Sequence, residues 1–239
     1  MAESRAELWV SRLGSIDYDE ALSLQGRLHR ARVGAAIADT LLLLEHPPVY
    51  TLGRRSTSDE LPMGEEWYRQ QGIGLRQIDR GGKVTYHGPG QLVAYPIVST
   101  ELFGGDVKQL VGAIEQAMID ALAGEDVAAR RDEAGRGVWA GSGQVQGKIG
   151  SVGLHIANNV TTHGLMVNGD NDLTPFSWIK PCGLDDPATS IAQVTGRAGR
   201  MRCFEKRLAF AVAENFSLRQ RLISRAKLEA AAGDLVLTA

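Results

Sequence analysis

The chain is short of cysteine and of any excess of charge, and each shortage removes a class of protein. Cys182 and Cys203 are the only two cysteines in 239 residues, too few to staple a fold of this size. A reducing compartment is therefore the expected setting, with a thiol left over for chemistry. Lys+Arg 26 against Asp+Glu 28 leaves a formal charge of -2, which argues against a surface built to coat nucleic acid or lipid. No apolar run reaches the length of a membrane span; the best, Val33 to Leu44, is interrupted by Asp39 and Thr40. The N-terminal MAESRAELWV has no signal h-region, so the chain is read as cytoplasmic.

Nucleotide and metal signatures are missing as well. The stretch from Gly141 to Ile149 approaches a phosphate loop but has Ser142 where glycine is needed and Ile149 where Ser or Thr is needed. No GxGxxG follows a strand with an acidic residue downstream. His29, His46, His87, His155 and His163 have no zinc-site spacing with each other or with the cysteines.

Glycine, by contrast, is abundant at 28 residues and clustered, from Arg80 to Gly90 and from Gly135 to Gly153. Such clusters fit backbone approaching a ligand, and fit tight hairpins equally. Asp17 and Glu20 have capping-box spacing ahead of a helix running toward Val33. Leu41 to Leu44 reads as a short buried strand ended by Pro47 and Pro48, and Gln91 to Val98 as another. Asp106 and Gln109 open the clearest helix, with Val107, Leu110, Val111, Ile114, Met118, Ala121 and Leu122 on one face and Gly124 at its end. Strands are expected at 127–131, 137–140, 146–157 and 160–168, and an amphipathic helix at 203–216 in which Cys203 is a packing residue. Helices at both ends of a strand-rich middle predict an α/β chain of the mixed α+β kind.

Three segments carry chemistry. Arg80 to Gln91 places paired glycines, His87 and a Gly-Pro-Gly turn ahead of a strand, either a backbone cradle for a ligand or a hairpin loop. In Gln146 to Leu154, simple alternation puts Lys148 on the side of Val152, Leu154 and Ile156. A lysine on that apolar face suits proton transfer, and the alternative is a stem that snorkels outward. Cys182 lies between Pro181 and Gly183, either presented in a turn as a nucleophile or buried as a small hydrophobe.

Taken together, RGGKVTYHGPGQLVAYPI from Arg80, GKIGSVGLHI from Gly147, THGLMVN from Thr162 and FSWIKPCGL from Phe176 resemble the octanoyltransferases of lipoate biosynthesis, the LipB family. EHPPVYTLGR from Glu45 agrees, and the resemblance runs from about Leu41 to Phe216. It implies the fold of the biotin and lipoate protein ligase catalytic domain, a mixed sheet flanked by helices. It implies one catalytic domain over 1–216, with 217–239 an extension that is helical or loose.

The resemblance further implies transfer of octanoyl from octanoyl-acyl carrier protein to a lysine of lipoyl domains. The acceptors would be the E2 subunits of 2-oxoacid dehydrogenases and the glycine cleavage H protein. No cofactor, metal, nucleic acid or membrane is implied. Carried over by residue, Cys182 is the acyl-thioester nucleophile and Lys148 the group that lowers its pKa or takes its proton. Arg80, Gly81, Gly82, Lys83, Val84, Thr85, Tyr86 and His87, with Ser151, Val152, Gly153, Gly164, Leu165 and Met166, are the acyl-pocket positions. Backbone N–H groups near Cys182 and in the glycine turns are expected to stabilise an oxyanion. Met166 stands where the family is commonly smaller, so chain-length preference is expected to depend on it. Arg219, Arg221, Arg225 and Lys227 form either a docking patch for an acidic carrier or a solvated helix face. An ATP-dependent ligase on the same fold, a non-catalytic acyl-binding module and a cysteine hydrolase are the rival readings.

Overall fold

Two aspartates start the main helices by satisfying donors that a helix leaves open. Asp17 accepts from the N–H groups of Asp19 and Glu20 at the head of α1 (Tyr18–Val33). Glu20 does not close the expected capping box, because its side chain pairs with Arg225 instead. Asp106 does the same for Lys108 and Gln109 at the head of α3 (Val107–Ala123), where Gln109 also bonds back to Asp106. Short α2 (Glu65–Gln70), α4 (Ile191–Thr195), α5 (Met201–Asn215) and α6 (Arg225–Gly233) complete the described helices. The computed structural model describes residues 5–132, 137–180 and 187–233.

The strands are β1 (Glu7–Ser15), β2 (Asp39–Glu45), β3 (Val49–Leu52), β4 (Gly74–Gln77), β5 (Val84–His87), β6 (Gln91–Ile97), β7 (Ala129–Arg131), β8 (Val138–Ala140), β9 (Gly147–Ala157), β10 (Val160–Asn168) and β11 (Arg219–Leu222). They form an eight-stranded sheet in the order β11-β1-β2-β6-β10-β9-β8-β7 and a three-stranded sheet in the order β4-β3-β5. In the large sheet β1 runs parallel to both β2 and β11, and the other pairs are antiparallel. This is the mixed sheet flanked by helices that the sequence implies.

The leucine run of β2 shows why the sheet is buried on both sides. Leu41 and Leu43 face α3 and α5, packing with Leu110, Ile114, Met118, Phe204 and Leu208. Leu42 and Leu44 face α1 and α6, packing with Leu24, Leu28, Leu228, Val93 and Met166. Val107, assigned to the buried face of α3 from its spacing, is 44% exposed, and the helix enters the core only from Leu110. Cys203 is likewise exposed and not packed, since Phe204 and Leu208 take the core-facing positions of α5.

The last segment joins both layers. β11 adds to β1, and Leu228 and Ala232 of α6 enter the core beneath α1. Arg219 and Arg221 pair with Glu7, and Arg225 with Glu20 and Glu229. With three of its four cations held by carboxylates, this cluster is an internally compensated edge and gives little support to the docking-patch reading. Among the described residues no helix is long and apolar enough to cross a membrane.

Candidate functional site

The glycine-rich segment 80–90 lies over the α1 side of the large sheet, against the small one. Arg80, 7% exposed, donates Nη2 to Thr51 O at 2.6 Å and to Thr51 Oγ1 at 2.8 Å, and Nη1 to Gly81 O at 3.0 Å. Gly81 donates its N–H to Leu154 O at 2.9 Å, docking the loop on β9. Arg54 and Arg55 donate backbone N–H groups to Arg80 O and Gly82 O. Gly53 permits that approach: a Cβ there would sit 2.5 Å from Gly82 O. The N–H groups of Gly81 and Gly90 are thus engaged, the latter by Glu45 Oε2 at 2.8 Å, and are not donors for an oxyanion.

Beneath the loop, register gathers the other sequence-assigned positions. Ser151 pairs with Met166 and Gly153 with Gly164, so these four share one face. Gly153 is the point of contact, since a Cβ there would lie 3.1 Å from Arg80 Cδ and 3.2 Å from Gly81 O. Gly164 is needed for the same reason on its other side, where a Cβ would collide with Ala94 O. Val152 and Leu165 alternate to the opposite face and pack against α3 and α5, so only their backbones border the site. Val84 and Tyr86 sit in an aromatic core with Tyr50, Tyr68 and Ile179, and Thr85 pairs with Thr51. Lys83 is held by Glu60 at 3.0 Å.

Lys148 reaches this face by a route that alternation misassigns. Val138 pairs with Gly150 and Trp139 with Lys148, so β9 has one extra residue, Ile149, opposite β8. Ile149 is fully buried in the α3 and α5 core, and a Cβ on Gly150 would also point there, 2.9 Å from Met118 Sδ. Two successive residues facing one side is what a bulge produces. Lys148 is thereby turned to the opposite face from Val152 and Leu154, toward Ser151, Met166 and Trp139. Its stem crosses Gly137 (φ +115), where a Cβ would be 2.9 Å from Lys148 Cε. Gly137 is in turn held through its N–H by Glu115 Oε1 at 2.8 Å. The 187–189 segment lies alongside: Lys148 N–H donates to Pro187 O at 2.8 Å, and Thr189 N–H to Lys148 O at 3.1 Å. Cys182, the assigned nucleophile, lies outside the described residues, a few positions before Pro187 in the chain.

Histidines that look scattered in sequence converge here. His46 and His87 have ring centroids 5.8 Å apart, with Tyr18 stacked on His87 at 6.4 Å. His46 donates Nδ1–H to Ile16 O at 2.8 Å and accepts at Nε2 from Tyr95 at 2.7 Å. Burial pushes His46 down to about 4, and burial with the neighbouring His46 pushes His87 down to about 3. Both rings are neutral at pH 7. His163, lowered by burial, donates Nε2–H to Asp79 Oδ1 at 2.7 Å at the root of the loop. Among the described residues no group of three or more His, Cys, Asp or Glu is arranged to hold a metal ion.

Sequence reasoning passed over several of these groups. Glu60, 1% exposed, accepts from Val84 N–H, pairs with Lys83 and receives Lys180 N–H on its carbonyl, tying the loop to the segment before Cys182. Asp79, Gln91, Asn168 and Tyr95 were also not assigned roles. His46, Gln91, Tyr95 and Asn168 stand inside quoted motifs, which is the one signal that could have raised them. Glu60 carries none, because its burial depends on contacts made across the fold.

Comparison with known proteins finds relatives over most of the chain. The model of the lipoyl protein ligase A/B catalytic domain matches residues 17–213. An octanoyltransferase of Chloroflexus aggregans is 42% identical over 214 residues, covering 89% of this chain and 96% of that protein. One of Solibacter usitatus is 44% identical over 189 residues, covering 79% and 84%. Lipoate-protein ligase A bound with ATP has the same fold, with a TM-score of 0.69 at 16% identity, over 97% of this chain and 94% of that one. A bi-partite lipoate protein ligase from Thermoplasma acidophilum, studied with its E2 lipoyl domain, gives 0.67 at 16% identity, covering 98% and 92%. The chain belongs to the lipoyl protein ligase A/B catalytic-domain family, and among its members it is an acyltransferase of the octanoyltransferase kind.

Proposed function

We propose that the protein moves an octanoyl group from acyl carrier protein to a lysine of a lipoyl domain, through a thioester on Cys182. The observation that carries this reading is the placement of Lys148. A bulge turns it to the loop-covered face, and the chain just after Cys182 is bonded to its backbone on both sides. A cation beside a thiol favours the thiolate, which is the nucleophilic form.

In the first step Cys182 Sγ attacks the carbonyl carbon of the carrier thioester. The carrier's sulfur leaves and takes up the proton that Lys148 holds from the thiol. In the second, the neutral amine of the acceptor lysine attacks the Cys182 thioester, Cys182 leaves as thiolate, and the proton shed by the amine passes to Lys148, which the first step left neutral. Thioester exchange is close to balanced and thioester-to-amide conversion runs downhill, so neither step needs ATP. The neutral imidazole of His87 is suited to accept an N–H from the entering amine.

The test is intact-protein mass spectrometry after mixing with octanoyl-carrier protein and no nucleotide, with peptide mapping and hydroxylamine treatment. A hydroxylamine-labile octanoyl adduct on Cys182 that passes to a lipoyl-domain lysine is the expected result. Acceptor modification only when ATP and free octanoate are supplied would make the protein a ligase and remove the role of Cys182.

A further inference from the structure

Between His87 and Lys148 runs a buried chain of hydrogen bonds whose direction is set at both ends by backbone carbonyls. Thr189 O and Tyr86 O can only accept. Asn168 therefore presents Nδ2 to Thr189 O at 3.0 Å, which leaves its Oδ1 to accept from Gln91 Nε2 at 3.0 Å and from Asn171 Nδ2 at 3.3 Å. Gln91 spends Nε2 on Asn168 Oδ1 and on Tyr86 O at 3.1 Å, so its Oε1 is the atom that meets His87 Nδ1 at 2.7 Å. An amide oxygen only accepts, and His87 must carry its proton on Nδ1. Flipping either amide would set oxygen against oxygen, and both side chains are fully buried, where an unmade bond is expensive. At the far end Thr189 donates to Lys148 O, and Ala188 bridges in parallel to Lys148.

We propose that Asn168 is a positioning residue that serves both sides of the site. Through Thr189 it seats the 187–189 segment against Lys148, and through Gln91 it holds His87 as the Nδ1–H tautomer with Nε2 as the accepting nitrogen. The first half rests on the Cys182–Lys148 reading; the second does not. A pair of buried amides contributes less packing than leucines of similar size, but it gives direction, and direction is what a tautomer and a strand register require.

The experiment has two arms. Nitrogen-15 NMR of histidine-labelled wild-type protein between pH 6 and 8, with His87 assigned by its loss in His87→Gln, should show Nδ1 protonated and Nε2 bare. A His87 protonated on Nε2 overturns the relay without any variant being made. In the second arm, the pH midpoint of Cys182 alkylation by iodoacetamide is read at the Cys182 peptide, which separates it from Cys203. Asn168→Leu, with Asn168→Ser as the smaller variant should the first not fold, is expected to raise that midpoint by about one unit or more toward an ordinary thiol. A wild-type midpoint that is already ordinary would sink the dyad reading, leaving the tautomer arm to decide the relay. A low wild-type midpoint that stays put in a folded Asn168 variant, with only the melting temperature reduced, would make Asn168 merely structural and overturn the proposal.

Discussion

The two faces of the eight-stranded sheet are both buried, but against different partners and with different chemistry. On the α3 and α5 side the filling is Leu, Ile, Val, Met, Ala and Phe, and the charged residues Glu115 and Glu125 stay at its margin in arginine pairs. On the α1 side Leu42, Leu44 and Val93 share their layer with His46, His87, Gln91, Tyr95, Asn168 and Arg80, all buried and all hydrogen-bonded. One face gains stability from apolar area; the other gives up some of it for groups of fixed direction. A deletion on the first face leaves a cavity, whereas on the second it leaves a partner unsatisfied beside the reacting groups.

Breaking the second face at Lys148 should have the largest effect. Lys148→Ala is expected to lower octanoyl transfer by about 10²- to 10⁴-fold while shifting the melting temperature only slightly. Single-turnover transfer from octanoyl-carrier protein is the measurement, and full activity would remove Lys148 from the chemistry. On the first face, Phe204→Ala should do the reverse. Its fully buried ring is worth about 3–5 kcal/mol of stability in urea unfolding, with transfer per folded molecule unchanged.

The buried histidines of the polar face give it a pH dependence of stability of its own. His46 and His87 fall from 6.5 to about 4 and about 3 on folding, so between those values and 6.5 the unfolded chain binds more protons. The stability they confer is full above about pH 6.5 and is lost as pH falls, at about 1.4 kcal/mol per unit for each ring. Denaturant midpoints from pH 7.5 to 5 should trace that slope in the wild type and a shallower one in His46→Gln. Equal slopes would mean that other groups carry it.

Two glycines on the same strand sharpen the contrast further. Gly153→Ala presses on Arg80 Cδ and Gly81 O and should raise KM about tenfold through the displaced loop. Gly150→Ala meets Met118 Sδ, the flexible end of a core side chain, and should alter stability more than KM. The smallest effect belongs to the β11 edge. Arg221→Ala removes an exposed pair to Glu7 and should leave transfer kinetics unchanged within error; a clear loss with the carrier-protein donor would restore the docking reading of that cluster.

Much of the frame was legible in sequence because it is local. Asp17 and Asp106 announce their helices through donors two and three residues on, and β10 spans Val160–Asn168, the bounds expected of it. The glycine-rich loop could be recognised as a unit, and Gly153, which it contacts, stands in another of the quoted motifs. β11 was not legible, since Arg219 to Leu222 has no strand pattern of its own and is ordered by β1. Nor was the meeting of His46 with His87, which are brought together by β2, β5 and β6.

The sequence by itself determined the family, the order of the motif segments and the main helix starts, because caps, turns and motif spacing depend on near neighbours in the chain. The side of the sheet that Lys148 faces, the tautomer of His87 and the buried role of Glu60 were decided only by tertiary structure. A bulge exists only relative to the strand it opposes, and a proton is assigned to a ring nitrogen only by the atom that folding sets against it.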